Sequence, residues 1–342
     1  MDKSYNAVMS RKNEIMKKAL GIDYTKYKIT DIAFDYEMMM DDVGYSIKEI
    51  FDIQSSSKVG NTPLYFLPNI TKLVRKYAPK GKGAKIYLKD EAANASGSFK
   101  ARRASLSIYE AKKRGYKGVI ASTSGNYGAA VASQAAMRGL KCIIVQEVFD
   151  SRFVGQPEII EKARACEALG AEVIMSSVGP ELFYSFLSAL EDTGYFNASL
   201  YTPFSIAGIE TLGWEVMHQI RAIEGRDPDY IMITHAGGGN LTGTARGVLK
   251  YKMENKPLNY TEFVGCSVDL SGLHMASDID FNKKSFTTGH TGFGIPFAEW
   301  PDRADTPRNA ARSLRYMDRY LTVTQGEVFY ATELLAASEG IE

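Results

Sequence analysis

The sequence predicts an α/β protein built on parallel sheets, and three observations point there. Short apolar runs alternate with longer helical patterns from Asn61 onward. Two loops rich in glycine or hydroxyls each follow such a run and open a helix. The 342 residues, with 45% hydrophobic and 24% charged content, can bury a sizeable core. Strands and helices alternating at this spacing make sheets covered on both faces, which receive ligands beyond the carboxyl ends of their strands. Chain length points to two domains, or to one large domain with a subdomain.

Residues 1 to 57 hold no proline and few glycines, and Val8, Met9, Ile15, Met16 and Leu20 recur at helical spacing. They predict a helical N-terminal extension. The run Met38-Met39-Met40 is either an adaptable packing surface or a ligand-facing one. Strands are expected at Ile86 to Lys89, Gly118 to Ala121, Cys142 to Val145, Glu172 to Met175, Tyr230 to Ile233 and Phe263 to Val268. Helices are expected at Ala101 to Arg114 and Ala129 to Arg138. Between Thr71 and Lys85 six cations, Lys72, Arg75, Lys76, Lys80, Lys82 and Lys85, stand without an acid. Such a run is a solvated face or a landing place for a phosphate-rich cosubstrate.

Lysine plus arginine (41) nearly cancels aspartate plus glutamate (40), so the charge balance favours neither nucleic acid nor a membrane surface. The expected partner is a small molecule or another protein. Cys142, Cys166 and Cys266 form no C-x-x-C pair, which argues against a disulfide framework or structural zinc and for a reducing compartment. Met1 to Lys18 has no continuous apolar stretch, and no run reaches membrane-spanning length. The expected location is cytoplasmic.

Three motifs carry chemistry. Ser96-Gly97-Ser98-Phe99-Lys100 sets one lysine on a small-residue turn at a helix start. An amine there is a useful nucleophile once burial or a neighbouring charge keeps it neutral, and small neighbours let a flat ring approach. The second motif, Ser122-Thr123-Ser124-Gly125-Asn126-Tyr127-Gly128, follows a strand and opens a helix, as a carboxylate site does. An ordinary helix cap needs one such residue; this loop supplies four. The third, Ala236-Gly237-Gly238-Gly239-Asn240-Leu241-Thr242-Gly243, lets successive N–H groups converge on a phosphate at a helix N-terminus. It lacks the Gly-Lys-Ser/Thr of a Walker loop and the spacing of a dinucleotide fingerprint. A glycine turn without a ligand is the plain alternative.

In this order the three motifs resemble the fold-type II pyridoxal-phosphate enzymes, the tryptophan synthase β and threonine synthase group, from Asn61 to the end. The resemblance implies two parallel-sheet, three-layer domains. The smaller, mobile one would span residues 94–200; the larger would combine 58–93 with 201–342, with the extension at 1–57. It implies Lys100 as the Schiff-base lysine of pyridoxal 5'-phosphate, and Asn126 as the partner of the cofactor's phenolic oxygen. Thr123, Ser124, Gly125 and Tyr127 would grip the substrate carboxylate, and Gly237, Gly238, Gly239 and Asn240 the phosphate. Ala236 stands where many relatives have glycine. In this fold a further strand and helices follow the segment Glu339-Gly340-Ile341 and face the pyridine nitrogen, so the larger domain is expected to be truncated.

A finer resemblance extends over nearly the whole chain, including Val154-Gly155-Gln156-Pro157-Glu158 and Thr287 to Gly294. It is to the β subunits of the ornithine-fermenting thiolases that cleave 2-amino-4-ketopentanoate with coenzyme A, giving acetyl-CoA and alanine. It implies coenzyme A as cosubstrate and a small α subunit, while the broader resemblance implies a homodimer; His290, in the glycine-rich run Thr287 to Gly294, is either a substrate-side acid or donor or an exposed loop histidine. The same motifs serve amino-acid lyases and β-replacement enzymes such as threonine synthase, serine or threonine dehydratase and diaminopropionate ammonia-lyase. A non-catalytic ligand-binding or scaffold subunit is the reading from another class.

Overall fold

The computed structural model describes residues 2–30, 35–123, 125–149, 153–177, 180–269 and 315–341. The N-terminal apolar spacing forms helices α1 (Tyr5–Ser10) and α2 (Lys12–Leu20), followed by α3 (Tyr36–Asp41) and α4 (Ile47–Ser55). Ser46 and Glu49 cap α4 reciprocally, each side chain taking a backbone N–H that the first turn leaves unpaired. Val8, Met16, Leu20, Met39 and Ile50 are buried in the same core as the first parallel sheet, so the extension packs as part of that unit. Of the methionine run, Met39 and Met40 are buried and Met38 is exposed, which is the packing role.

That sheet has the order β5-β4-β3-β6, with β3 at Gly118–Thr123, β4 at Lys141–Phe149, β5 at Glu172–Ser177 and β6 at Phe196–Asn197. All its pairings are parallel, with Gly118 opposite Lys141 and Val119 opposite Phe196. Every residue of β3 is buried, as a central strand covered on both faces must be. Helices α6 (Lys100–Lys113), α7 (Asn126–Arg138) and α8 (Pro157–Ala168) pack side by side against it. Helix α9 (Pro180–Thr193), backed by α1 and α2, packs on the same strands.

A second parallel sheet, β7-β8-β9, joins Tyr230–Thr234, Glu262–Val268 and Arg319–Val323. Short α10 (Pro203–Ala207) leads into α11 (Glu210–Glu224), which lies along α12 (Gly239–Glu254). The two long helices approach closely because Gly213 faces the Thr244 carbonyl and Gly247 faces the Glu210 carbonyl, where no β-carbon fits. Helix α13 (Gln325–Glu339) packs on α5 (Pro68–Tyr77).

All six expected strands form, and one departs from the expected direction. The run Ile86 to Lys89 gives β2 (Tyr87–Lys89), but it pairs antiparallel with β1 (Leu64–Phe66) in a sheet of its own. The chain between them runs out along α5 and back, so the second strand returns alongside the first. The cations of 72–85 are exposed on and after α5, with Lys85 paired to Glu224 at 2.7 Å. Among the described residues no helix is long and apolar enough to cross a membrane.

Candidate active site

Lys100 is the first residue of α6. The turn before it is closed by the N–H of Gly97 donating to the Asn94 carbonyl at 2.8 Å, and Gly97 adopts φ 72°, a conformation open to glycine at little strain. The half-buried amine lies 4.9 Å from the centroid of the Phe99 ring. Burial, reinforced by the positive charge of Arg103, pulls its pKa from 10.5 down to about 7. Near neutrality a large share of Lys100 is therefore an uncharged nucleophile.

The hydroxyl loop leaves the carboxyl end of β3 and enters α7 at Asn126. Thr123 Oγ1 accepts the N–H groups of Gly125 at 3.0 Å and Gly128 at 3.3 Å, so its hydroxyl caps the turn. Tyr127 is buried and donates its hydroxyl to the Ala198 carbonyl.

Lys100, Thr123, Gly125, Asn126 and Tyr127 line one cavity of about 230 Å³. Its other walls are Glu158, Ile159 and Lys162 of α8, and Leu200. The sequence reading missed these four. Glu158 and Lys162 stand four apart and so share a helix face, a spacing visible in the sequence once α8 is drawn. Ser124 and His290 lie outside the described residues.

The third motif leaves β7 and opens α12, whose first residue is Gly239. Gly238 precedes it at φ 83° and no side chain caps the helix. A β-carbon on Gly237 would collide with the Tyr201 hydroxyl, which explains the glycine there. Gly237, Gly238, Gly239 and Asn240 are not among the residues lining the cavity. The element shared by the two places is Arg103, one turn beyond Lys100: its guanidinium is 5.7 Å from the Tyr127 ring, and its two terminal nitrogens would each lie 3.1 Å from a Gly239 β-carbon.

Arg102, its neighbour, faces the other way. It is fully buried, pairs with Glu91 at 2.7 Å and Glu215 at 2.8 Å, and donates to Thr211 at 3.0 Å. Lys89 joins Glu215 at 2.7 Å. This network locks the start of α6 to α11.

Residues 55–342 match the family model described as pyridoxal-phosphate dependent enzyme. The chain is 67% identical over 341 residues to a 2-amino-4-ketopentanoate thiolase beta subunit of Acetoanaerobium sticklandii, covering 100% of this chain and 71% of that protein. A second relative of the same name, from an unknown prokaryotic organism, is 68% identical with the same coverage. Among solved structures, a threonine deaminase of T.th. superposes with a TM-score of 0.62 at 23% identity, covering 86% of this chain and 88% of that one. The last likeness concerns the fold alone.

Proposed function

Because the chain belongs to the pyridoxal-phosphate dependent enzyme family, we propose that it is the catalytic β subunit of a thiolase of ornithine fermentation that splits 2-amino-4-ketopentanoate with coenzyme A into acetyl-CoA and alanine. The observation that carries this reading is identity of 68% along the whole chain to a relative of that name. The residues present fit pyridoxal phosphate: a lysine with a pKa of about 7 opens into the same cavity as Asn126 and the N-terminus of α7. When bound, the cofactor supplies an electron-withdrawing ring that acidifies the substrate's α carbon.

The chain's own residues do the rest. Lys100 would hold the cofactor and would take up the α proton on Nζ, for which a pKa near ambient pH is suited. Asn126, which lines the same cavity, would hold the ring's phenolic oxygen. The N–H groups at the start of α7, with Thr123, Ser124, Gly125 and Tyr127, receive the substrate carboxylate at the positive end of the helix. Gly237, Gly238, Gly239 and Asn240 receive the phosphate at the start of α12. In thiolysis the coenzyme A thiol gives up its proton and its sulfur bonds to the 4-keto carbon, the bond between the third and fourth carbons breaks, the third carbon takes up a proton, and Lys100 returns the proton it holds to the α carbon, which completes alanine. His290 is the proposed acid or donor toward the keto oxygen.

The proposal includes a homodimer, a small α subunit and a cytoplasmic location. It also includes closure of a unit at 94–200 over the larger one, 58–93 with 201–342, to exclude water. The test is the visible spectrum of the purified protein with pyridoxal phosphate, then acetyl-CoA formation from 2-amino-4-ketopentanoate with coenzyme A and the α subunit. A lysine-linked chromophore absent from Lys100→Ala, together with coenzyme-A-dependent acetyl-CoA, is the expected outcome. Ammonia and a 2-keto acid released without coenzyme A would make the protein a lyase instead; no chromophore at all would favour a non-catalytic subunit.

A further inference from the structure

Helix α6 carries two consecutive buried arginines with opposite surroundings. Arg102 is matched by two carboxylates. Arg103 is 2% exposed, and among the described residues it makes no ion pair. Its Nε donates to Ser205 Oγ at 2.9 Å, while Nη2 has no hydrogen-bond partner. The rings of Tyr127 and Tyr201, with centroids 5.7 Å and 5.4 Å away, hold the guanidinium. Rings partly offset a buried cation but do not replace an anion.

The guanidinium is aimed at the start of α12. Nη1 and Nη2 each lie 3.1 Å from where a Gly239 β-carbon would be, and the α12 N-terminus has no side-chain cap. Two features of positive character thus meet, the uncapped N–H groups of α12 and Arg103, and Arg103 also acts on Lys100 one turn away on α6. Left alone, they repel. A dianion with several acceptor oxygens would satisfy the donors of both the helix and the arginine.

We propose that Arg103 is a direct ligand of the cofactor's phosphate, holding that dianion against the N-terminus of α12 from the side of the lysine helix. The inference rests on the pyridoxal-phosphate reading and adds to the backbone loop a charged side chain that the sequence reading left unassigned. Coenzyme A also carries phosphates, but the guanidinium is buried beside the glycine loop rather than at an opening.

The test compares pyridoxal phosphate with pyridoxal, which lacks the phosphate, by titrating the lysine-linked chromophore of the cofactor-stripped, reloaded full-length protein. Arg103→Gln should weaken pyridoxal phosphate by roughly 10- to 100-fold, the range for a hydrogen bond to a charged group, and change pyridoxal by less than about 3-fold. Arg103→Lys, which keeps the charge and loses the fork, should fall between. Equal weakening of both ligands, weakening of neither, or weakening of coenzyme A alone would overturn the assignment. Absence of a chromophore with either ligand in the unaltered protein would strike the cofactor reading itself, a separate failure. If Arg103→Gln does not fold, the unaltered protein still decides. A phosphate bound to Arg103 removes one of the two causes of the low Lys100 pKa, so adding inorganic phosphate should move the pH midpoint of chromophore formation with pyridoxal upward. No movement would overturn the proposal.

Discussion

Replacing Lys100 by methionine should change the pH dependence of stability in the cofactor-free protein. In the folded state burial and the Arg103 charge bring the amine from 10.5 to about 7, whereas the unfolded chain keeps the ordinary value. Between those values the unfolded chain holds a proton that the folded chain has released, so stability rises with pH across the window. Below it both states are protonated, and the folded state carries the full penalty of a poorly solvated ammonium. From about pH 7 to about pH 9 the gain is at most about 2.7 kcal/mol, because each pH unit is worth about 1.4 kcal/mol. Partial solvation through the cavity lowers that ceiling. Urea unfolding of both proteins at about pH 6 and about pH 9 measures it, since titrations elsewhere cancel in the difference. Lys100→Met should be the more stable protein at the lower pH, with its advantage shrinking by about 2 kcal/mol at the higher one. An advantage that does not change with pH would show that Lys100 titrates normally, and the argument for its readiness at neutrality would fail.

The remaining predictions concern the frame of the site. Arg102→Met leaves Glu91 and Glu215 without their buried cation and should lower stability by about 3–5 kcal/mol in denaturant unfolding. Burial opposes the charge of Glu215, yet Arg102 and Lys89 outweigh it and hold its pKa at about 2. The stability it contributes is therefore present above the ordinary carboxylate range and lost as pH falls through about 2, and Glu215→Gln should flatten the acid limb of an unfolding profile. Gly247→Ala drives a methyl into the Glu210 carbonyl and should cost about 1–3 kcal/mol or more, read as a lowered unfolding midpoint. Tyr127→Phe removes the donor to the Ala198 carbonyl and should cost about 1–3 kcal/mol.

The sequence made the parallel strands legible because β3, β4, β7 and β8 are apolar runs bounded by turn residues, a local signal. It did not reveal β6, whose two residues Phe196 and Asn197 are too few to carry a pattern. Nor did it reveal β1, which pairs along only three residues. The direction of β2 was invisible for a different reason: pairing sense depends on where the intervening α5 returns the chain, not on strand composition. At the site, Lys100 and Asn126 stood out because glycine and hydroxyl loops are local sequence features. Glu158, Lys162 and Leu200 did not, because only the packing of α8 and the chain after β6 brings them to the cavity. Arg103 was hidden by its neighbour, since an Arg-Arg pair in a helix with several lysines looks like solvated surface until burial is known.

Arg102 and Arg103 divide between them what a neutral lysine at a helix start requires. Successive residues of a helix point about 100° apart, so neither side chain can do the other's work. Arg102 turns toward α11 and, with Lys89, balances Glu91 and Glu215, which fixes the position of Lys100 with no net charge beside it. Arg103 stands one turn along from Lys100 without an acid, and its uncompensated field adds to burial in keeping the amine low. Exchanging their environments would work against both ends: an unmatched Arg102 would loosen α6, and a carboxylate beside Arg103 would cancel the field and raise the Lys100 pKa, leaving burial alone to lower it. Before an anion binds, the neutral amine is thus supported, beside burial, by a cation that the protein leaves unmatched at the start of α12, where an anionic ligand would be held.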